Sequence, residues 1–212
     1  MHRMTVWALL LSAAALAGCS RTVIVSVPPR VDLNAFGTLG VVEFASNAGP
    51  AIDARATRDF QARIHAAQPG TRLLELGSRA AILAAVGARQ FDAEALRKIG
   101  AQYKVDAVFL GEISYSDPKT TVKITDITRL AGGANTVIRG DMSAKLLETR
   151  TGASVWSSSA WATRQLGRVS VSADRGVSGT VQSADPREEM VPAMLLHLTG
   201  DFRPGTARQR VD

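Results

Sequence analysis

The sequence predicts an α/β (α+β) fold: a mixed central sheet flanked by helices, a C-terminal antiparallel meander and a final packing helix. Three observations predict it. Between residues 36 and 113, short β-branched apolar runs alternate with amphipathic helical stretches; from Thr120 the periodicity changes to strict alternation; and a capped helical stretch returns at Asp185. The length of 212 residues fits one domain of this kind.

Thr38-Leu-Gly-Val-Val-Glu-Phe44 is bounded by Gly37 and by Ser46-Asn-Ala-Gly-Pro50, the signature of a short buried strand. Ile52, Ala56, Phe60, Ile64 and Ala67 then recur at helical spacing with charged residues on the other faces, and Pro69-Gly70 ends that helix. A second strand runs from Thr71 to Leu76, and Ser78 caps an Ala-rich helix over Arg79–Ala88. Asp92 caps another through Gln102, with Glu94 in the first turn where the helix dipole favours a carboxylate. Val105–Ile113 is almost continuously apolar, as a central strand covered on both faces must be. In the meander, Ile138, Gly140, Met142, Ala144 and Leu146 share one parity, and Thr149–Gly152 makes a turn. Trp156 and Trp161 have opposite parity, so one belongs to the core and the other to the surface, unless a bulge resets its direction. Residues 167–184, rich in Ser, Gly and Val, read as a strand remnant and loop. Asp185-Pro-Arg-Glu188 combines an N-cap, a proline at the first helical position and Glu at N3; it opens a helix through Leu198 with Met190, Met194, Leu195 and Leu198 on its buried stripe.

Composition narrows the function. Hydrophobic residues make up 46% and charged residues 21%, which excludes a disordered chain. One Cys and three His exclude an intramolecular disulfide and any zinc site that needs two thiolates. The net charge of +6 is compatible with nucleic acid, anionic lipid or an acidic polymer.

The N-terminus chooses among these. Arg3 supplies a positive n-region; an apolar stretch from Val6 to Ala15 follows, shorter than the roughly 20 residues a bilayer span needs; then come Leu16, Ala17, Gly18 and Cys19. This is an export signal, removed in the mature chain, and export makes nucleic acid an unexpected partner. Leu16-Ala-Gly-Cys19 resembles the lipobox of bacterial lipoproteins. The resemblance implies cleavage before Cys19, a diacylglyceryl group on its thiol and acylation, palmitate included, of the new amine. Each buried methylene adds about 0.8 kcal/mol, so three chains hold the protein to a membrane without any transmembrane helix. Ser20, where lipoproteins retained at the inner membrane carry Asp, implies sorting onward to the outer membrane. Residues 1–18 are thus the signal peptide, 19–35 the lipidated Cys and an extended tether containing Pro28-Pro29, 36–200 the folded domain, and 201–212 a basic disordered tail.

Phe36-Gly-Thr-Leu-Gly-Val-Val-Glu-Phe44, Leu96-Arg-Lys-Ile-Gly-Ala-Gln-Tyr-Lys-Val-Asp-Ala-Val-Phe-Leu-Gly-Glu112 and Ala144-Lys-Leu-Leu-Glu-Thr-Arg-Thr-Gly-Ala-Ser-Val-Trp156 together resemble the CsgG-like group of bacterial lipoproteins. That group takes in curli-secretion channel subunits, peptidoglycan-synthase activators and TolB-type N-terminal domains. The resemblance implies an envelope binder or assembler, homo-oligomeric in some members, on the periplasmic face of the outer membrane. The alternative it carries is a secretion-channel subunit whose meander enters the membrane.

No catalytic motif is present: there is no Gly-x-Ser-x-Gly, His-Glu-x-x-His, Walker or dinucleotide pattern. His65 and His197 fall in helices without a neighbouring nucleophile, and Asp106, Glu112, Asp126 and Asp141 read as solvated or ion-paired strand carboxylates. The sequence therefore predicts no enzyme, no catalytic or metal-ligating residues and no cofactor. It predicts two contacts, the membrane through the N-terminal lipid and an envelope protein of unknown identity. Trp156, Trp161 and Tyr115 are the aromatic candidates for that interface, and the Arg-rich tail reads as solvated.

Overall fold

A computed structural model describes residues 21–126, 131–172, 176–181 and 185–211. They form two compact units, one of residues 30–203 and one built from the stretches up to Pro29 and from Pro204 on.

The larger unit is a mixed sheet with helices. Its strands are β2 (Leu39–Val42), β3 (Ala45–Ser46), β4 (Leu73–Gly77), β5 (Ala107–Tyr115), β6 (Lys119–Asp126), β7 (Ala131–Glu148), β8 (Ser154–Ser172) and β9 (Gly176–Val181). They lie in the order β4-β2-β5-β7-β8-β9, with β3 alongside β5 and β6 alongside β7. β2 is parallel to both β4 and β5, and every pairing from β5 onward along that order is antiparallel. The predicted class, a mixed sheet flanked by helices, is the one observed.

The helices are α1 (Pro50–Ala67), α2 (Arg79–Ala85), α3 (Ala93–Tyr103) and α4 (Pro186–Leu198). Ser78, Asp92 and Asp185 accept hydrogen bonds from the backbone N–H groups of Ala81, Ala95 and Arg187, so all three predicted caps form. α2 stops three residues short of the expected Ala88 because Gly87 enters the left-handed region at φ 64°. α4 continues through Pro192, whose carbonyl accepts a hydrogen bond from Arg63 at 3.0 Å.

Two apolar clusters lie on opposite faces of the sheet. On one, Phe44, Phe60, Phe109, Trp156 and Phe202 form a chain of ring contacts with centroids 4.5–6.1 Å apart, joined by Met190, Met194 and Leu198 of α4. On the other, Val42 and Val108 meet Ile82, Leu96 and Ile99 of α2 and α3. Gln68 ties the first cluster to its surroundings: it accepts from the Leu33 N–H at 2.7 Å and donates to the Val31 and Phe202 carbonyls. β5 is buried on both faces over Ala107–Phe109, as its apolar run predicts, but from Gly111 its burial alternates and Glu112 and Ser114 are exposed.

The smaller unit corrects the reading of both ends of the chain. Arg21–Val27, expected to be an extended tether, is a strand (β1), and Gly205–Val211, expected to be disordered, is its antiparallel partner (β10). Thr22-Val-Ile-Val25 has strand composition, yet a strand exists only with a partner, and a partner 182 to 188 residues further on leaves no local signal. In the same way the 167–184 segment, read as a strand remnant and loop, carries the end of β8 and all of β9.

Candidate functional site

Over β7 and β8 one face of the sheet has a stretch that no described helix covers. β7 and β8 pair with Asp141 opposite Trp161, Ser143 opposite Ser159 and Lys145 opposite Ser157, and all six residues are exposed. The other parity of the same strands supplies the core: Ile138, Met142, Ala144 and Leu146 from β7, Trp156 and Ala160 from β8. The period of two therefore sorts one hairpin into a buried face and an open one rich in serine.

Trp161 dominates the open face. It is 61% exposed, against 6% for Trp156, so the opposite parity of the two tryptophans has its predicted result. The Arg139 guanidinium lies over the Trp161 ring, 5.0 Å from its centroid. Arg139 also holds Asp141 through its Nε (2.9 Å) and a terminal nitrogen (2.6 Å). Hydrogen bonds from Arg139 hold the Asp141 carboxyl below the usual carboxylate range, and the same bonds push the guanidinium up. The result is an arginine cation over an exposed indole, tied down by Asp141, on a surface lined by serine hydroxyls.

The other aromatic candidates are structural. The Trp156 indole donates to Asp201 at 3.2 Å within the core. Tyr115 is buried, its hydroxyl donating to the Arg187 carbonyl at 3.1 Å while its backbone pairs with the Asn47 amide; burial first, and Asp185 second, push the phenol up to about 12. Among the carboxylates, Asp106 accepts from the N–H groups of Gly37 and Thr38 and so clamps the entry to β2. Glu112 is exposed, and Asp126 closes β6. His65 and His197 are exposed in the last turns of α1 and α4. Among the described residues no group of three or more His, Cys, Asp or Glu side chains is placed to hold a metal ion, and no helix is long and apolar enough to cross a membrane. Leu16, Ala17, Gly18, Cys19 and Ser20 lie outside the described residues.

A second surface lies further along the meander, where β6, β7, β8 and β9 run side by side. Backbone pairing places Val122, Ala134, Val169 and Gly179 in one cross-strand row and Ile124, Gly132, Val171 and Val177 in another. The rows between them hold Lys123, Gly133, Ser170 and Ser178, and Thr121, Asn135, Arg168 and Thr180. Val122 is 69% exposed. The alternation of Val122 and Ile124 is visible in the sequence, but the agreement of four strands row by row is visible only once the register is known.

The sequence matches no known family profile and no curated protein. Similar solved structures include the lipoprotein GNA1162 from Neisseria meningitidis, 18% identical, covering 60% of this chain and 83% of that one with a TM-score of 0.38. They include a PelC dodecamer from Paraburkholderia phytofirmans, 14% identical over 90% of this chain and all of that one, at a TM-score of 0.41. The C-terminal domain of LpoB from Salmonella enterica is 14% identical over 65% of this chain and 84% of its own, at a TM-score of 0.35.

Proposed function

We propose that this chain is a bacterial lipoprotein, acylated on Cys19 and held at the periplasmic face of the outer membrane, that acts by binding. It recruits a protein partner in envelope assembly or regulation through the Trp161 face and has no catalysis of its own. Location rests on the lipobox and Ser20. Binding rests on one observation, an exposed indole fixed by an arginine on an otherwise flat polar sheet face, since aromatic and arginine side chains supply a disproportionate share of interface energy. The CsgG-like resemblance rests on its three segments and adds the expectation of an envelope assembler.

A photo-crosslinking residue at Ser159, in the full chain expressed in a bacterial envelope, tests this reading. The expected result is a discrete crosslinked protein that disappears in a second chain also carrying Trp161→Ala, while the amount of folded chain is unchanged. Crosslinks only to lipid, or crosslinks indifferent to Trp161, would sink it.

A second reading, an oligomeric secretion-channel subunit, is favoured by the alternating apolar and polar rows of the β6–β9 sheet. Membrane strands alternate in this way. Over Ile138–Leu146, however, the apolar parity of β7 is already buried in the core and is not available to lipid, which places the binding reading first. Oligomer mass in detergent and conductance in a planar bilayer separate the two: a stable ring with steady conductance makes the chain a channel subunit, and a small oligomer without conductance leaves the binder.

A further inference from the structure

The β1–β10 ribbon joins the N-terminal segment to the C-terminal one in a defined register: Arg21 lies opposite Val211, Thr22 opposite Arg210, Ile24 opposite Arg208 and Ser26 opposite Thr206. Thr22, Ile24 and Ser26 share one face of β1, and Thr206, Arg208 and Arg210 meet them on the same face of the ribbon. All of these side chains are exposed, and Ile24 is 71% exposed, the most exposed large apolar side chain among the described residues. Neither strand contains an Asp or Glu. One face of a two-stranded element thus carries two arginines beside a bare isoleucine, with no Asp or Glu within either strand.

We propose that this face is a membrane-contact element, in which Arg208 and Arg210 bind the phosphate groups of anionic lipids and Ile24 enters the headgroup layer between them. The proposal rests on the lipid-anchor reading for its geometry. From Cys19 to Thr22 the chain spans at most about 11 Å, so Arg210, opposite Thr22, lies within a few side-chain lengths of an acylated Cys19. A basic, partly apolar surface at that distance from the anchor faces lipid headgroups before any other ligand, and cationic side chains with an apolar neighbour are what such an interface accepts. The contact would turn a flexible attachment point into an oriented one.

The test uses the mature chain from residue 19 on, carrying Cys19→Ser so that no acyl chain dominates binding. It is sedimented with vesicles of phosphatidylcholine alone and with vesicles containing about one third phosphatidylglycerol. Binding is expected to be at least about tenfold stronger to the anionic vesicles and to fall steeply with salt. Arg208→Gln with Arg210→Gln should lose about fivefold for each arginine, and Arg208→Lys with Arg210→Lys should keep most of the binding. Equal binding to both vesicle types overturns the proposal, as does a Gln variant that binds like the parent. Where the Gln variant fails to fold, Ile24→Ser decides the matter: it should bind the anionic vesicles several-fold more weakly than the parent, and unchanged binding overturns the proposal. Intact mass of the full chain, recovered from cells with and without Cys19→Ser, tests the anchor separately. An unacylated chain whose mature form still prefers anionic vesicles removes the anchor and keeps the ribbon contact; an acylated chain whose mature form ignores them does the reverse.

Discussion

A methyl group added to Gly111 would be built into the Phe44 ring, which has little room to retreat because its centroid lies 5.2 Å from that of Phe60, itself 5.1 Å from Phe109. Gly111→Ala is therefore expected to lower the unfolding free energy by about 1–3 kcal/mol, read from the midpoint of urea denaturation at unchanged slope. Tyr115 gives a second residue-level expectation. Its phenol titrates near 12 in the folded chain against 10.0 for an unperturbed tyrosine. Below pH 10 it is neutral whether the chain is folded or not, and between about 10 and 12 only the unfolded chain ionises, so this group's stabilising contribution is lost as pH rises through that window. With Tyr103→Phe leaving Tyr115 as the only tyrosine, the absorbance of tyrosinate should rise with a midpoint near pH 12, falling back towards 10 in urea. A folded-state midpoint at 10 would contradict the burial.

At the level of elements, the cap on α3 is the cleanest test of local sequence logic. Asp92 accepts the Ala95 N–H at 2.8 Å and Glu94 pairs with Lys98 on an exposed turn, so Asp92→Ala should cost about 1 kcal/mol while Glu94→Ala costs a few tenths. Thermal midpoints of the two variants check the ratio. The same logic explains which elements were legible from the start. Caps, a helix stripe such as Met190–Leu198 and the one-parity run Ile138–Leu146 are local patterns, and each appears where the sequence puts it. Pairings between distant segments are not local. Nothing in Thr206-Ala-Arg-Gln-Arg210 announces a strand, because its partner is Thr22-Val-Ile-Val25 at the other end of the chain. The Trp161 face was legible by halves: parity separated Trp161 from Trp156, but the placing of Arg139 over Trp161 depends on a diagonal across two strands whose register the sequence does not state.

Across the larger unit, the two apolar clusters are separate in space yet share their strands, since Val41 and Phe109 belong to one while the adjacent Val42 and Val108 belong to the other. Damage to the smaller cluster should therefore destabilise both. Ile82→Ala is expected to lower stability by about 2–4 kcal/mol within a single calorimetric transition; a split transition would show that the α2–α3 side melts alone. The β1–β10 ribbon behaves differently under tension. β1 is already extended at about 3.3–3.4 Å per residue, close to the limit of the backbone. Pulling on Arg21 against Val27 loads the covalent chain of β1 itself, while β10, bonded side-on, lies outside the path of the force. Stripping β10 away would lend this stretch almost no extra length; it would only let it slacken. Pairing with β10 thus holds residues 21–27 at one set length where an unpaired stretch would be free to coil.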